Sequence, residues 1–297
     1  MKPWLQAFRL RTLPLALSGI LVGSALAAHN GHFRGNVMAL ALITAVLLQV
    51  LSNLANDLGD HEHGTDNAER VGPQRAVQSG AISPAAMKRA MIICGLLALA
   101  SGIALITVAF GMTVRTLVFF GIGLLAIAAA VKYTYGKNPY GYAGLGDVSV
   151  LLFFGFVGVG GTYYLHTSTL PWPILLPAVA FGLLAAGVLN TNNMRDRVND
   201  AASGKRTLVV RLGGERAKNY HTMLIGLAFL ALVFFVAWFT RQQWCWLFLV
   251  GLVPIFIHAV RVQTNTDPQL LDPELKRLAL GTFLTAIAFS IGLWVTA

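Results

Sequence analysis

Long apolar stretches separated by shorter polar segments dominate the sequence. Each stretch runs for about 18–25 residues, the length that an α-helix needs to cross the hydrocarbon core of a bilayer. Periodicity within each stretch is weak, as expected for helices that are apolar on most faces. The pattern predicts nine membrane spans, at about residues 13–28, 37–56, 86–110, 116–132, 147–165, 173–192, 220–239, 242–260 and 276–295.

The composition supports this interpretation. Of the 297 residues, 56% are hydrophobic and 11% are charged, whereas a soluble domain carries about 25% charged residues. Lipid offers no partner to an unpaired backbone group, so an all-α polytopic membrane bundle is predicted. No linker rich in Pro, Gly or Ser interrupts the spans, and residues 1–297 are therefore expected to form a single domain.

The basic residues are distributed unevenly between alternate loops. With the N-terminus in the cytoplasm, 19 of the 22 Lys and Arg residues lie on the cytoplasmic side. The positive-inside rule therefore predicts a cytoplasmic N-terminus and, after nine spans, an external C-terminus. All twelve acids share that side, which indicates a site that handles metal and anion together. A net charge of +10 could suggest binding to nucleic acid, but the distribution of the charges fits membrane topology and phosphate better, so nucleic acid is not a predicted partner.

A faint internal repeat places polar clusters at the ends of the second and sixth predicted spans. Residues 53–60 read Asn-Leu-Ala-Asn-Asp-Leu-Gly-Asp, and residues 190–196 read Asn-Thr-Asn-Asn-Met-Arg-Asp. Aligning Asn56 with Asn192 gives a shared Asn-Asx-x-x-Asp pattern. Two related halves that face one another would bring both clusters to a common cytoplasmic mouth.

The second cluster has the spacing of one helical face. Asn192, Asp196 and Asp200 lie four residues apart, a rise of about 6 Å per step. Magnesium prefers such hard oxygen ligands and usually adds phosphate oxygens of a substrate. Two clusters of this kind could hold a metal-bridged diphosphate. Acids at the end of a membrane helix can also be simply solvated, but two matched sets favour function because carboxylates near a membrane are costly.

The first cluster is less regular. Asn56 and Asp60 share one helical face with Asp57 beside them, and Gly64 permits a turn that returns Asp66. Basic residues follow each cluster and would neutralise the charge that metal ions leave on a diphosphate. These bases are Arg70, Arg75, Lys205 and Arg211.

The two clusters closely resemble the Asp-rich motifs of the UbiA superfamily of prenyltransferases. The resemblance covers nearly the whole chain and implies a nine-helix bundle in a bacterial cytoplasmic membrane. Five residues separate Asp60 from Asp66, more than in the commonest family form, so Glu62 could take the place of Asp66. Further segments resemble family members that act on 1,4-dihydroxy-2-naphthoate: residues 11–14 (RTLP), 72–75 (GPQR), 140–147 (YGYAGLGD) and 204–213 (GKRTLVVRLG).

The resemblance also implies a chemistry. Mg²⁺ would grip the diphosphate of a polyprenyl donor, and loss of pyrophosphate would leave an allylic cation. A dihydroxynaphthoate ring would take the prenyl group in place of its carboxylate, giving demethylmenaquinol for menaquinone biosynthesis. The catalytic metal ligands would be Asp57, Asp60, Asp196 and Asp200, with Asn56, Asp66 and Asn192 as further ligands.

Aromatic residues of the third cytoplasmic loop are candidates for contact with substrate. Their π faces could shield the allylic cation, or their rings could anchor the loop at the membrane interface. Asp147 opens the fifth span and could orient the aromatic acceptor or cap its helix. The aromatic candidates are Tyr133, Tyr135, Tyr140 and Tyr142.

Two other functions fit parts of the pattern. A secondary transporter would also have many spans and an internal repeat, but its polar site would lie near the bilayer midplane, whereas these clusters lie at the ends of spans. A prenyltransferase for 4-hydroxybenzoate or haem is the other alternative. The residues alone indicate only a polyprenyl diphosphate and an acceptor.

Overall fold

A computed structural model describes residues 2–67 and 71–297, and within those ranges it contains helices and no strands. Nine of the helices are long and apolar enough to cross a membrane, which confirms the predicted number and class. They are labelled α1 to α9 in chain order: Lys2–His29, Gly35–Glu62, Pro84–Phe110, Val114–Lys132, Gly146–Thr167, Trp172–Ala202, Gly214–Thr240, Gln243–Thr264 and Pro268–Val295.

The two helices that carry the motifs extend beyond their predicted ends. Helix α2 was expected to end at residue 56 and continues to Glu62, and α6 continues from the expected residue 192 to Ala202. Asn and Asp disfavour helix interiors because their side chains compete for backbone hydrogen bonds. Here many of these side chains bind groups elsewhere in the bundle, and both motifs therefore lie on helices rather than in loops.

Helix α1 is interrupted before the membrane span begins. A short helix, Lys2–Phe8, is followed by Arg9 in the left-handed conformation at φ 47°, and the main helix then runs over Leu13–His29. The side chain of Asn53 donates a hydrogen bond to the carbonyl oxygen of Phe8 at 3.0 Å. The N-terminal segment is thereby held against α2, close to the first motif.

Small residues allow the central helices to approach one another closely. A Cβ atom on Gly155 of α5 would lie 2.5 Å from the carbonyl oxygen of Ala178, and 3.1 Å from Gly182 of α6. Only glycine permits this crossing, and such contacts drive helix association in lipid. The packing places α6 among α1, α5, α7 and α9, so its polar end faces the end of α2.

Two connecting segments pair above the ends of α2 and α6. The turn Tyr140–Ala143 lies between α4 and α5, and the short helix Leu208–Leu212 lies between α6 and α7. The backbone N–H of Arg206 donates to the carbonyl oxygen of Tyr142 at 3.0 Å. This contact joins the two segments beside the polar helix ends.

Candidate active site

A cavity of about 390 Å³ begins at the polar ends of α2 and α6 and continues between apolar helix faces. Asn56 and Ala41 both line it, and they are separated by about 22 Å of helix at 1.5 Å per residue. Asp60, Arg75 and Lys205 line the polar end, and Leu, Ala, Val and Phe side chains supply most of the remaining wall. The cavity suits a ligand with a charged head and a hydrocarbon tail.

Asp60 is the centre of the charged end. Its side chain is 2% exposed, and Nη2 of Arg75 lies 3.0 Å from its Oδ2 atom. On the other side, Nζ of Lys205 lies 3.5 Å from Oδ1, and the Tyr142 hydroxyl donates to Oδ1 at 2.9 Å. Three separate segments thus converge on one buried carboxylate.

Asp66 returns to the same place through a turn at Gly64. Gly64 has a φ of 72°, and the N–H of Asp66 donates to the carbonyl oxygen of Asp60 at 3.2 Å. Nε of Arg75 lies 3.4 Å from Oδ1 of Asp66. Glu62 instead pairs with Lys88 at 3.1 Å. Of the two alternatives for the third acid of the first motif, Asp66 is therefore the one that joins Asp60.

Asp57 has different hydrogen-bond partners from Asp60 in this structure. Its two carboxylate oxygens accept hydrogen bonds from the backbone N–H groups of Ala76 at 3.3 Å and Val77 at 3.2 Å. These contacts hold the segment that carries Arg75. Asp57 therefore contacts the segment that carries Arg75 and does not itself line this cavity.

The second motif is neutralised by an arginine within it. Nε and Nη2 of Arg195 donate to the two oxygens of Asp196 at 2.9 and 2.7 Å, and Nη2 also donates to Oδ1 of Asn192 at 3.0 Å. Nζ of Lys205 lies 3.6 Å from Oδ1 of Asp200. As expected from their spacing, the three motif residues lie along one helix, and each contacts a cation.

The two motifs meet. Nζ of Lys205 lies between Asp60 of α2 and Asp200 of α6. In addition, the side-chain N–H of Asn199 donates to the carbonyl oxygen of Thr65 at 2.8 Å. The expected common mouth is therefore present.

Both cations at this mouth stay charged at neutral pH. Burial favours the neutral form of Lys205, but the charges of Asp60 and Asp200 raise its pKa above the ordinary value. Burial likewise opposes the charge of Arg75, and the attraction of Asp60 and Asp66 raises its pKa. Two positively charged side chains, each paired with buried carboxylates, thus line the head of the cavity.

Comparison with known proteins gives the family. Residues 16–272 match the UbiA prenyltransferase family. The chain belongs to that family. The 1,4-dihydroxy-2-naphthoate octaprenyltransferase of Haemophilus influenzae is 46% identical over 99% of this chain and 96% of its own length.

Solved structures of UbiA homologs share the fold. The apo structure of a homolog from Aeropyrum pernix K1 has a TM-score of 0.71 at 16% identity and covers 97% of this chain and 98% of its own. A homolog from Archaeoglobus fulgidus bound to GPP and Mg²⁺ has a TM-score of 0.60 at 18% identity, covering 97% and 99%.

The four candidate tyrosines of this UbiA-family chain occupy different places. Tyr133 and Tyr140 line the cavity, with ring centroids 5.4 Å apart. Burial raises the pKa of the Tyr133 hydroxyl well above its usual value, so it stays neutral. The hydroxyl of Tyr142 donates to Asp60, and Nζ of Lys205 lies over the Tyr142 ring, 5.2 Å from its centroid. Tyr135 lies outside the cavity lining, with Nζ of Lys88 5.8 Å from its ring centroid.

Two residues predicted to contact substrate, Arg211 and Asp147, form hydrogen bonds with other protein groups. Arg211 donates from Nη2 to the carbonyl oxygen of Ala143 at 2.7 Å, and Asp147 accepts a hydrogen bond from the Tyr220 hydroxyl at 3.3 Å. Neither lines the cavity. Arg70 lies outside the described residues.

The donor set suits a divalent cation that is shared with a ligand. Among residues 2–67 and 71–297, no three His, Cys, Asp or Glu side chains gather as a metal-binding group. Instead, carboxylates pair around cations, as Asp60 and Asp200 do around Lys205. Magnesium generally uses one or two carboxylates and completes its shell with water and phosphate oxygens. The residues therefore fit Mg²⁺ that arrives with a diphosphate.

Sequence reasoning missed several basic residues that surround this site. Arg195 was not among the predicted site residues, although its position next to Asp196 in the sequence could have suggested that the two side chains form an ion pair. Arg9, Arg11 and Lys276 line the cavity. Arg11 belongs to the RTLP segment, whose resemblance to the family was the available signal.

Proposed function

We propose that this chain transfers a polyprenyl group from a polyprenyl diphosphate to 1,4-dihydroxy-2-naphthoate in menaquinone biosynthesis. The observation that carries the proposal is the apolar cavity that ends at Asp60, Arg75 and Lys205, because it matches a donor with an anionic head and a hydrocarbon tail. The choice of acceptor rests on the 46% identity to the Haemophilus influenzae enzyme. The product would be demethylmenaquinol.

The first step is loss of diphosphate. Arg75 and Lys205 take up negative charge that develops on the leaving group, which favours breaking the bond between prenyl carbon 1 and oxygen. The electron pair of that bond leaves with the diphosphate. Tyr133 and Tyr140 line the same end, and their rings stabilise the allylic cation.

The second step joins the prenyl group to the ring. Carbon 2 of the naphthoate supplies an electron pair to prenyl carbon 1, and the new carbon–carbon bond forms. The bond to the carboxylate then breaks, carbon dioxide leaves, and its electron pair restores the aromatic ring. The balance needs no oxidant and no added proton.

Magnesium belongs to the proposal as the cofactor. Oxygen atoms from both motifs would hold it, and Asp57 would support them through the Arg75 segment. Bound Mg²⁺ would neutralise further charge on the diphosphate and make it a better leaving group. The Mg²⁺ in the Archaeoglobus fulgidus homolog supports this part. The proposed ligands are Asn56, Asp60, Asp66, Asn192, Asp196 and Asp200.

The deciding experiment uses purified protein, Mg²⁺, a polyprenyl diphosphate and naphthoate labelled in its carboxyl carbon. One labelled carbon dioxide should be released for each prenylated product. With 4-hydroxybenzoate the carboxyl group would be retained, so product mass separates the two acceptors. Turnover with 4-hydroxybenzoate or haem and none with naphthoate would overturn the choice of acceptor.

A chelator tests the metal independently of the acceptor. EDTA should stop turnover, and excess Mg²⁺ should restore it. Full activity in EDTA would remove the metal from the mechanism and leave the acceptor unaffected.

We also propose one domain in a bacterial cytoplasmic membrane, with the N-terminus and the active site facing the cytoplasm. Cys94 and Cys245 are buried, so introduced cysteines report accessibility. Ala81→Cys and Ala202→Cys should resist an impermeant thiol reagent in intact cells, whereas Met112→Cys, 92% exposed on the opposite side, should react. Reaction of the first two and protection of the third would invert the topology.

A further inference from the structure

Buried ionisable side chains join α7, α8 and α9 at a place apart from the active site. His221 of α7 and His258 of α8 are both 0% exposed, and their Nε2 atoms lie 2.8 Å apart. Nδ1 of His258 lies 3.1 Å from Oε2 of Glu274, a residue of α9 that is 4% exposed. We call these three residues the histidine cluster. None of them lines the cavity, so the proposed reaction does not use them.

The ion pairs of Glu274 determine where the protons of the histidine cluster lie. Nη1 of Arg261 lies 3.5 Å from Oε1 of Glu274, and Arg277 contacts the same oxygen, so the carboxylate is charged. Because a carboxylate only accepts hydrogen bonds, Nδ1 of His258 donates to it. Nε2 of a neutral His258 is then an acceptor, and Nε2 of His221 donates to it. Nδ1 of a neutral His221 is therefore left without a proton.

This Nδ1 atom of His221 is a buried acceptor beside apolar groups. It has no hydrogen-bond partner among the residues that the structure describes. A Cβ atom on Gly187 of α6 would lie 3.6 Å from Cε1 and 4.0 Å from Nδ1 of His221, and 3.3 Å from Cδ2 of Leu278. A proton at Nδ1 would create a buried cation without a partner, which is costly. The packed arrangement of α6, α7 and α8 therefore excludes that proton.

The surrounding charges also oppose a proton on the histidine pair. Arg261 and Arg277 place two cations against the single anion of Glu274. From α6, the group that faces the His221 ring is Gly187, which has no side chain to compensate a charge. One turn along α7, Lys218 is paired with Glu215 at 2.8 Å. An imidazolium would thus join a group of charges that already has an excess of one positive charge.

We propose that Nδ1 of His221 is a proton-binding site that couples acid to the opening of α7 from α6 and α8. In the packed arrangement the site stays empty, for the reasons above. Once α7 moves away, water reaches the ring, which then takes up a proton with the ordinary imidazole pKa of about 6.5. Acid therefore stabilises the open arrangement relative to the packed one. Because Val188 and Leu189 of α6 line the cavity, opening should also lower turnover.

Thiol labelling of the purified protein measures the opening. Ala217 lies one turn before His221 and is 0% exposed, so a cysteine in Ala217→Cys should react only when α7 opens. Met112→Cys, at a position that is 92% exposed, gives the reference rate and corrects for the change of thiol ionisation with pH. Each proton taken up on opening raises the open population about tenfold per pH unit below about 6.5. From about pH 7.5 to about 5.5, the ratio of the two rates should rise about tenfold for one proton and about a hundredfold for two.

His221→Gln separates the proton from the hydrogen bond. Glutamine keeps an N–H donor for His258 and a second, acceptor atom, but it takes up no proton in this pH range. In the Ala217→Cys background, the rise in the rate ratio should be about tenfold smaller with glutamine than with histidine at 221. His32→Gln removes an exposed histidine and should leave the rise unchanged. If His221 served only for packing, His221→Gln would change the rates equally at both pH values, and that result would overturn the inference.

The labelling of the protein with His221 intact is decisive even if His221→Gln does not fold. A rate ratio that is the same at both pH values would refute the proton-binding site. This measurement needs no substrate, so it does not depend on the proposed reaction. Turnover tests the link to the cavity: on acidification, the wild type should lose turnover faster than His221→Gln. Parallel pH profiles of the two proteins would overturn that link.

Discussion

The ends of α2 and α6 both bury carboxylates, but they neutralise them in different ways. At the first motif, the cations come from segments outside the spanning helices: Arg75 and Lys205 reach Asp60 from two directions. At the second, Arg195 is the neighbour of Asp196 on the same helix and binds it at 2.9 and 2.7 Å. The charge of Asp60 is balanced by cations from other segments, whereas that of Asp196 is balanced by its neighbour on the same helix.

This difference indicates a division of labour. The side chain of Arg195 is 1% exposed and also bonds Asp272 of α9, so it ties two membrane helices together. Arg75 and Lys205 instead line the cavity beside Asp60. We therefore expect the first motif to contribute more to electrostatic binding of the ligand. The second motif should contribute more to the stability of the bundle.

Arg195→Gln should have the largest effect, and it should act on stability. Removing one partner from a buried ion pair leaves the other charge uncompensated, at about 3–5 kcal/mol. Arg75→Gln should lose about as much turnover as Arg195→Gln does. Its free energy of unfolding should fall less, because the segment that carries Arg75 lies outside the spanning helices. Unfolding in detergent and turnover, measured for both variants, check this order. A more stable Arg195→Gln than Arg75→Gln would contradict the division of labour.

Asp60→Asn comes next and should act on catalysis. It removes the charge that organises Arg75 and Lys205, and turnover should fall by about a hundred- to a thousandfold. Glu62→Gln is the matched control, because Glu62 pairs with Lys88 away from the cavity, and it should remain near wild type. Initial rates at saturating Mg²⁺ and donor measure both. If the two variants lost activity equally, the distinction between the cavity and the surface of α2 would fail.

Tyr142→Phe should have a moderate effect. It removes a hydrogen bond of 2.9 Å to Asp60, and a bond to a charged group contributes enough that turnover should fall about tenfold. Tyr135→Phe serves as the control, since its ring lies outside the cavity lining, and its rate should match wild type. A larger loss in Tyr135→Phe than in Tyr142→Phe would return Tyr135 to the site.

Asn199→Ala should have the smallest effect of the four. It removes the hydrogen bond to Thr65 that links the two motif ends, which should lower the free energy of unfolding by about 1–2 kcal/mol. Asn265→Ala removes an exposed bond to Asp267 and should change stability little. Denaturant unfolding compares the two variants. Indistinguishable midpoints would mean that the link between the motifs contributes nothing.

The number of spans and the places of both motifs could be predicted from the sequence. An apolar stretch long enough to cross a bilayer is a local property, and so is the four-residue spacing of Asn192, Asp196 and Asp200. The predicted helix ends were less accurate. Asp60 and Asp200 end the apolar stretches in the sequence, but both helices continue through them. Only their partners elsewhere in the bundle explain why α2 and α6 continue.

Which residues share the site was decided by tertiary structure. Asn199 and Thr65 lie 134 residues apart in the chain, and Lys205 reaches Asp60 across the same gap between helices. Helical periodicity reports neighbours on one helix, whereas contacts between helices depend on how each is rotated and how deep it lies. Close packing such as that of Gly155 against α6 sets those positions. The sequence alone therefore determined the spans and the motif faces, and packing selected Arg75, Lys205 and Tyr142 as their partners.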